Sequence, residues 1–581
     1  MTTDCDAVIV GTGPAGSTVA DVLTAAGWSV IMLEKGANRL LALEPPFQGL
    51  GDITNDEVKF VRRWFLGPDP FLEPRTYRRA ETDGERLLTG EVNNLPSTVG
   101  GGGFHADGKL PRFREVDFHA RSELGPIDGA DIVDWPLDYD EMEPYYAAAE
   151  NLIGVAGDHT GNPFASWRSN PYPMPPGPDM FCAIVTGEAA VGRGLHPYRA
   201  PTGANSVEFD GRPACNNCGF CAYFGCPIEA KGDPIAPLRN ALRTGRCEIR
   251  PESYVVSVEV DGSGKVARGV RYLDVDGVEH EVRARHVVLG AGAFETPRLL
   301  LRSGIGNSSD NVGRYLMYHF QTYTLGLFPF RLHAYRGRAV THLHDDFLVP
   351  DADALAAARS AGLPYFRGGI VEHGGAGFPL LEAVHTGPGV HHSRTMLHSP
   401  MRDHMGAFTI QGEDLPQRSN RIDLDPKIQD VWGSAAGRVT YEPHRHEIAA
   451  SRHWAPILES VMKDAGATHA FSVTSPPLAG EPGADTPFMA PVSRHIMGTT
   501  RMGPDPRTSV CDPWQHLHDV DNVLVADSSV FPTSTGYGPT LTIVALALRA
   551  ARALAGLPPL RSQRPAQPAG GVGPPPQPAP D

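Results

Sequence analysis

What the chain lacks narrows it first. No window approaches the ~18 uninterrupted apolar residues that a membrane span needs, although hydrophobic residues make up 41% of the 581. No basic run is present, and the formal net charge is −16. Nucleic acid or an anionic membrane as partner would need a concentrated positive surface, so both are excluded. An acidic small molecule is not, because one Arg pocket would hold it. The opening MTTDCD is polar and acidic rather than leader-like, and a strand pattern begins at once. A cytoplasmic protein with reduced thiols is expected. There is no internal repeat. The length exceeds what one simple core holds, so two or more domains are expected. Glycine (64) and proline (54) are plentiful and imply many loops between short elements. From Leu557 proline dominates and large apolar residues vanish, which predicts a disordered tail over 557–581.

Cysteine is scarce but concentrated. Of eight, four lie in CNNCGFCAYFGC, residues 215–226. The spacing Cys215-x2-Cys218-x2-Cys221-x4-Cys226-Pro227 is one residue longer in its last gap than the bacterial ferredoxin run. Four thiolates would also satisfy tetrahedral zinc. In a reducing compartment, structural thiols are the expectation, with no metal assigned.

What is present starts with DAVIVGTGPAGSTVADVLTAAGWSVIMLEKG. Ala7–Val10 reads as a buried parallel strand. Gly11, Gly13 and Gly16 follow in the G-x-G-x-x-G pattern, with Pro14 and Ala15 between them. A helix runs to about Ala26, and a second strand, Val30–Leu33, ends in Glu34. This is a dinucleotide fingerprint in its full context. Gly11 permits the tight turn, Gly13 lets a pyrophosphate approach the backbone, and Gly16 lets helix and strand pack closely. The helix N-terminus supplies amide donors. Glu34 suits a ribose diol and disfavours a 2′-phosphate.

Later segments repeat the style. RHVVLGAGAFETPRLLLRSGIG reads as strand, turn and helix, with Ala291 in the turn. DVDNVLVADSSVFPTSTGYGPTLTIVALALRAARALAG places Asp527 just after a strand and starts an apolar helix near Pro539. With GTGPAG, VGGGG at 99–103, VGRYLMYH at 312–319 and HIMGTTRMG at 495–503, all in one order, the chain resembles the glucose–methanol–choline (GMC) flavoproteins from its N-terminus to about Gly556. The resemblance implies FAD, oxidation of a CH–OH group in a small-molecule alcohol or glycoside, and O2 or another electron acceptor. It implies an α/β fold: a Rossmann-like FAD domain over 1–318 and 490–556, and a substrate domain over 319–489 built on an antiparallel sheet. GAFTIQGEDLPQRSNRIDLD and GRVTYEPH alternate as such strands should, and that sheet would roof the flavin.

The resemblance also distributes roles. It puts the pyrophosphate on Gly11–Gly16, the adenosine ribose on Glu34, and ribityl hydroxyls or water on Asp527. Val256 and Ala291 are further cofactor contacts. Pro539 and Thr540, at a helix N-terminus, would face the flavin's N1/O2 edge and favour its reduced anion. Gly101, Gly102 and Gly103 would let backbone lie flat against the ring. A likeness to the pyranose-oxidase branch puts His105 where some relatives bond the flavin covalently; a histidine beside an acid-releasable flavin is the expectation here.

Of twenty-three histidines, His495 falls on the family's catalytic base. Pairs such as His342/His344, His444/His446 and His516/His518 lack further ligands and are read as structural. One position departs from the family. Where a histidine or asparagine normally precedes the proline of STGYGPTLT, this chain has Gly538. Tyr537 or a substrate-domain residue could supply the missing donor, the glycine could admit a bulky substrate, or the reaction could be a desaturation. An electron-transfer subunit with a cysteine-ligated cluster is the other function class.

Overall fold

The computed structural model describes residues 3–38, 72–83, 87–88, 95–219, 221, 226, 228–334, 336–375, 389–399, 401–473 and 493–564. Three sheets organise them.

The first is seven-stranded. Its parallel centre runs Cys247–Arg250, Val30–Leu33, Cys5–Val10, Glu279–Leu289, Val523–Val525. CDAVIV and VIML are almost wholly buried, as strands covered on both faces must be. Glu279–Leu289 is longer than its apolar end suggested. Its first half pairs antiparallel with Ala267–Leu273 and its second half parallel with Cys5–Val10. Helix Pro14–Ala25 starts with proline in its first turn, where a missing N–H costs nothing. It packs against helix Thr540–Leu554, whose TLTIVALALRAARAL is buried nearly all round.

The second sheet has six antiparallel strands in the order His469–Val473, Phe320–Leu327, Met405–Gly412, Val371–Gly374, Val340–His344, Tyr198–Arg199. Helix Arg445–Asp464 covers one face. The third sheet joins Arg421–Gln429 and Ala435–Thr440 to Thr76–Arg78 and Leu87–Leu88. This corrects the expectation of one roof from residues 406–425 and 437–444. Of the strands there, only Met405–Gly412 belongs to the six-stranded sheet. The next two leave it because Thr76–Arg78 pairs in parallel with Ala435–Thr440.

The tail also begins later than expected. The Leu560 N–H donates to the Tyr145 hydroxyl at 3.2 Å, and Arg564 pairs with Glu115 and Asp140 at 3.0 and 2.9 Å. The rest of the predicted tail, from 565, lies outside the described residues.

Candidate active site

Between the first two sheets lies a cavity of about 870 Å³. Gly11, Gly13, Pro14 and Ala15 line it, as do Glu34, Gly101, Gly102, Gly103, His105, Ala291, Asp527, Pro539, Thr540 and His495. The structure thus brings together residues drawn from the whole length of the chain.

The glycine turn is built as its spacing required. Gly11 has φ +95°, and a Cβ there would stand 2.5 Å from the Gly290 carbonyl oxygen. At Gly13 a Cβ would meet nothing within 4 Å, because that side opens into the cavity. Gly16 does not line the cavity. It packs behind the turn, where a Cβ would fall 2.1 Å from the Gly11 carbonyl oxygen. Two helix N-termini, at Pro14 and at Thr540, face the same space. Aligned amides and an open glycine cradle suit a pyrophosphate and an electron-rich ring, so the residues present fit FAD.

Other details differ from the expectations. Val256 is not a cavity residue. The strand Tyr254–Val260 has a register shift between Val255 and Ser257, and Val255 faces the cavity instead. Gly103 is required less by a flat ring than by Pro14, whose Cγ would stand 2.6 Å from a Cβ at 103. Glu34 lines the cavity, yet its carboxylate already accepts from the Thr12 amide and hydroxyl at 3.1 and 2.8 Å and from the Gly36 amide at 3.0 Å. Asp527 accepts from the Gly292 and Ser529 amides, both at 2.9 Å, and from the Thr296 hydroxyl at 2.6 Å. Burial pushes both carboxyls upward against these bonds. Each carboxylate has about four acceptor sites, which leaves capacity for ligand hydroxyls.

His495 is half-buried, with its open edge on the cavity. Its Nδ1 lies 2.7 Å from Nδ1 of His319, and His319 Nε2 lies 3.4 Å from the Ser534 carbonyl oxygen. A carbonyl can only accept, so His319 carries its proton on Nε2 and accepts at Nδ1. His495 must then donate from Nδ1, which leaves Nε2 unprotonated. Burial lowers His319 to about 4. Burial first, then the charges of His319 and Lys109, hold His495 well below the usual imidazole value. Both rings are neutral at neutral pH. The VGRYLMYH block contained His319, but nothing in its spacing announced this bond.

The six-stranded sheet roofs the cavity. FQTYTLGL, residues 320–327, alternates, with Gln321, Tyr323 and Leu325 inward. Tyr323 donates to Gln321, Gln321 to Gln411, and Gln411 to Glu372, at 2.7, 3.0 and 2.8 Å. Glu372 accepts from Lys109 at 2.5 Å, and Lys109 also pairs with Asp107 at 3.0 Å. None of these was singled out from sequence. Tyr537 does not supply a donor here, because its hydroxyl donates to Asp345 at 2.7 Å, away from the cavity lining.

The cysteines of 215–226 lie outside the cavity lining. The Ala230 amide donates to the Cys226 sulfur at 3.2 Å and the Asn217 amide to the Cys215 sulfur at 3.3 Å. Among the described residues, no three His, Cys, Asp or Glu side chains are grouped to hold a metal ion.

Comparison with known proteins agrees with this geometry. Residues 202–321 and 416–547 match the two models described as GMC oxidoreductase. The chain is 33% identical to C-glycoside 3-oxidase of Arthrobacter globiformis over 95% of both chains. It is 32% identical to 6'''-hydroxyparomomycin C oxidase of Streptomyces lividus over 95% of this chain and 91% of that one. To 2-methyl-1,2-propanediol dehydrogenase of Mycolicibacterium austroafricanum it is 29% identical over 95% of both. Its fold resembles formate oxidase of Aspergillus oryzae, with a TM-score of 0.65 and 16% identity over 96% of this chain and 99% of that one. The chain belongs to the GMC oxidoreductases, and it is an FAD-dependent enzyme that oxidises a CH–OH group.

Proposed function

We propose that the chain oxidises an alcohol group of a polyhydroxylated small molecule, a sugar, glycoside or related natural product, with His495 as the base. The 2.7 Å bond between His495 and His319 carries the reading, because it commits the lone pair of His495 Nε2 to the cavity. Bound FAD supplies the two-electron acceptor that takes the hydride from the carbinol carbon. Gly11, Gly13, Pro14, Ala15 and Gly101–Gly103 would hold its phosphates and ring, Glu34 and Asp527 its hydroxyls, Ala291 its passage across the sheet, and Pro539 and Thr540 its pyrimidine edge. His105 would stand beside the ring.

The substrate's hydroxyl would give its proton to His495 Nε2 as the carbon is oxidised. The relay behind His495 ends on the Ser534 carbonyl, which cannot take a proton, so the proton is held within the His495–His319 pair. The roof supports the choice of substrate, since Gln321, Tyr323, Gln411 and Glu372 present alternating donors and acceptors over the site. Relatives named for a C-glycoside, a hydroxyparomomycin and a propanediol point the same way. Both oxidases and dehydrogenases occur among them, so O2 and an artificial dye are the two acceptors to compare.

The test is anaerobic bleaching of the flavin with glucose, methyl β-glucopyranoside, myo-inositol, 1,2-propanediol and paromamine. One or more should bleach the parent. His495→Ala should keep FAD and slow bleaching about 10²-fold or more. The depressed imidazole keeps the base form as pH falls through ~6.5, so the parent's rate should stay level from about pH 8 to 6 and decline only below. Equal rates in parent and His495→Ala would remove His495 from the role. A parent bleached by none of the panel would remove the polyhydroxylated substrate.

A further inference from the structure

As the alcohol proton passes to His495, charge develops on the oxygen, and a second donor on that oxygen's other side would stabilise it. Gly538 offers no side chain for the purpose. A Cβ there would stand 3.9 Å from Cε1 of His495 and 4.0 Å from the backbone oxygen of Lys109. The space beside His495 is therefore bounded by the Lys109 backbone. The half-buried Lys109 side chain lines the same cavity, with Nζ 2.5 Å from Glu372 and 3.0 Å from Asp107. An ammonium has three N–H donors. Two go to these carboxylates, and one is left to point at a third oxygen.

We propose that Lys109 is the second catalytic group, its ammonium donating to the substrate oxygen opposite His495 Nε2 in the place a side chain at 538 would otherwise serve. The inference rests on the reading of His495 as base. In the step, the O–H proton passes to His495 Nε2, the C–H electron pair leaves with hydrogen to the bound FAD, and the C=O bond forms. Lys109 stays protonated throughout and stabilises the oxygen's charge. Its own environment keeps it so. Burial disfavours the ammonium, but Asp107 and Glu372 outweigh burial and raise its pKa. Its field reaches both histidines and lowers their affinity for protons.

The surrounding charges do not offer a better candidate. Lys35 and Arg75 are committed to Glu73 and Glu295 at the Glu34 end of the cavity. Arg494 is adjacent to His495 and also lines the cavity, so it serves as the control. The carboxylates pull Lys109 into a fixed position, which is what an electrostatic group needs in order to act without reorganising.

The experiment uses the holoenzyme of Lys109→Met, Lys109→Arg, Arg494→Met and the double variant Lys109→Met/Glu372→Gln. The double variant avoids a buried unpaired carboxylate that could unfold the single one. Flavin absorbance reports retained FAD. The limiting rate of anaerobic bleaching, with the best alcohol of the panel above, should fall about 10²–10³-fold in both Met variants and recover partly in Lys109→Arg. A readout without turnover is carbethoxylation of His495, followed across pH by mass spectrometry. Its midpoint should move up in both Met variants and stay in place in Lys109→Arg. Limiting rates within about threefold of the parent, a loss confined to KM, an unmoved midpoint, or an equal loss in Arg494→Met would each overturn the proposal. His495→Ala separates the two claims. If it loses its rate while Lys109→Met does not, only Lys109 falls; if it keeps its rate, the base is wrong whatever Lys109 does.

Discussion

Gly13 and Gly16 sit three residues apart in one motif and do opposite things. A Cβ at Gly13 would point into the cavity and meet no protein atom within 4 Å. A side chain at Gly16 would collide with the Gly11 carbonyl at 2.1 Å. Gly13→Leu should therefore fold normally and purify without FAD, while Gly16→Ala should lose stability by about 2 kcal/mol or more through displacement of helix Pro14–Ala25. Absorbance at the flavin bands and a thermal melt separate the two. A Gly13→Leu protein that stays yellow would contradict the cradle. At this scale the sequence was readable, because glycine spacing states a backbone requirement directly. His495 was readable only through the family likeness. His319 and Lys109 were not, since their roles depend on contacts between segments far apart in the chain. Val256 does not line the cavity, whereas its neighbour Val255 does.

Strand Phe320–Leu327 shows what an element adds. Its odd positions Gln321 and Tyr323 reach the cavity, and its even position Thr322 faces helix Arg445–Asp464, donating to Ser451 at 2.7 Å. The alternation was visible in FQTYTLGL, but which set points inward depends on where the helix packs. We expect Gln321→Leu to change the ratio of kcat/KM between a polyol and a simple alcohol while FAD binding holds. Thr322→Val should leave preference untouched and cost ~1 kcal/mol for the lost hydrogen bond. Steady-state kinetics on two substrates and a melt would check both. An unchanged preference in Gln321→Leu would mean that the roof does not read the substrate. The segmentation of residues 405–443 into two sheets was illegible for a related reason. Ala435–Thr440 pairs with Thr76–Arg78, a partner that no local pattern in either strand names.

At the scale of the molecule, both ends of the chain converge on one place. The turn at Gly11–Gly16 opens the sequence, and helix Thr540–Leu554 nearly closes its described part, yet the two helices pack together and their N-termini share the cavity. Val523–Val525 completes the central sheet only beside Glu279–Leu289. The Rossmann-like fingerprint was legible at the start of the chain, but it is half a cradle. This has a consequence for how the protein is made. During synthesis the first half of the site leaves the ribosome long before the second, and hundreds of residues must follow before the ring can be enclosed. Cofactor capture is then expected to be a late event, once helix Thr540–Leu554 has been made. Stalled chains ending at residue 520 should leave added FAD fluorescing freely, whereas the completed chain should quench it. Quenching by the stalled chain would show that the N-terminal half binds alone. Until helix Thr540–Leu554 docks, the newborn enzyme is an unlatched book, and FAD is expected to enter only as the covers meet.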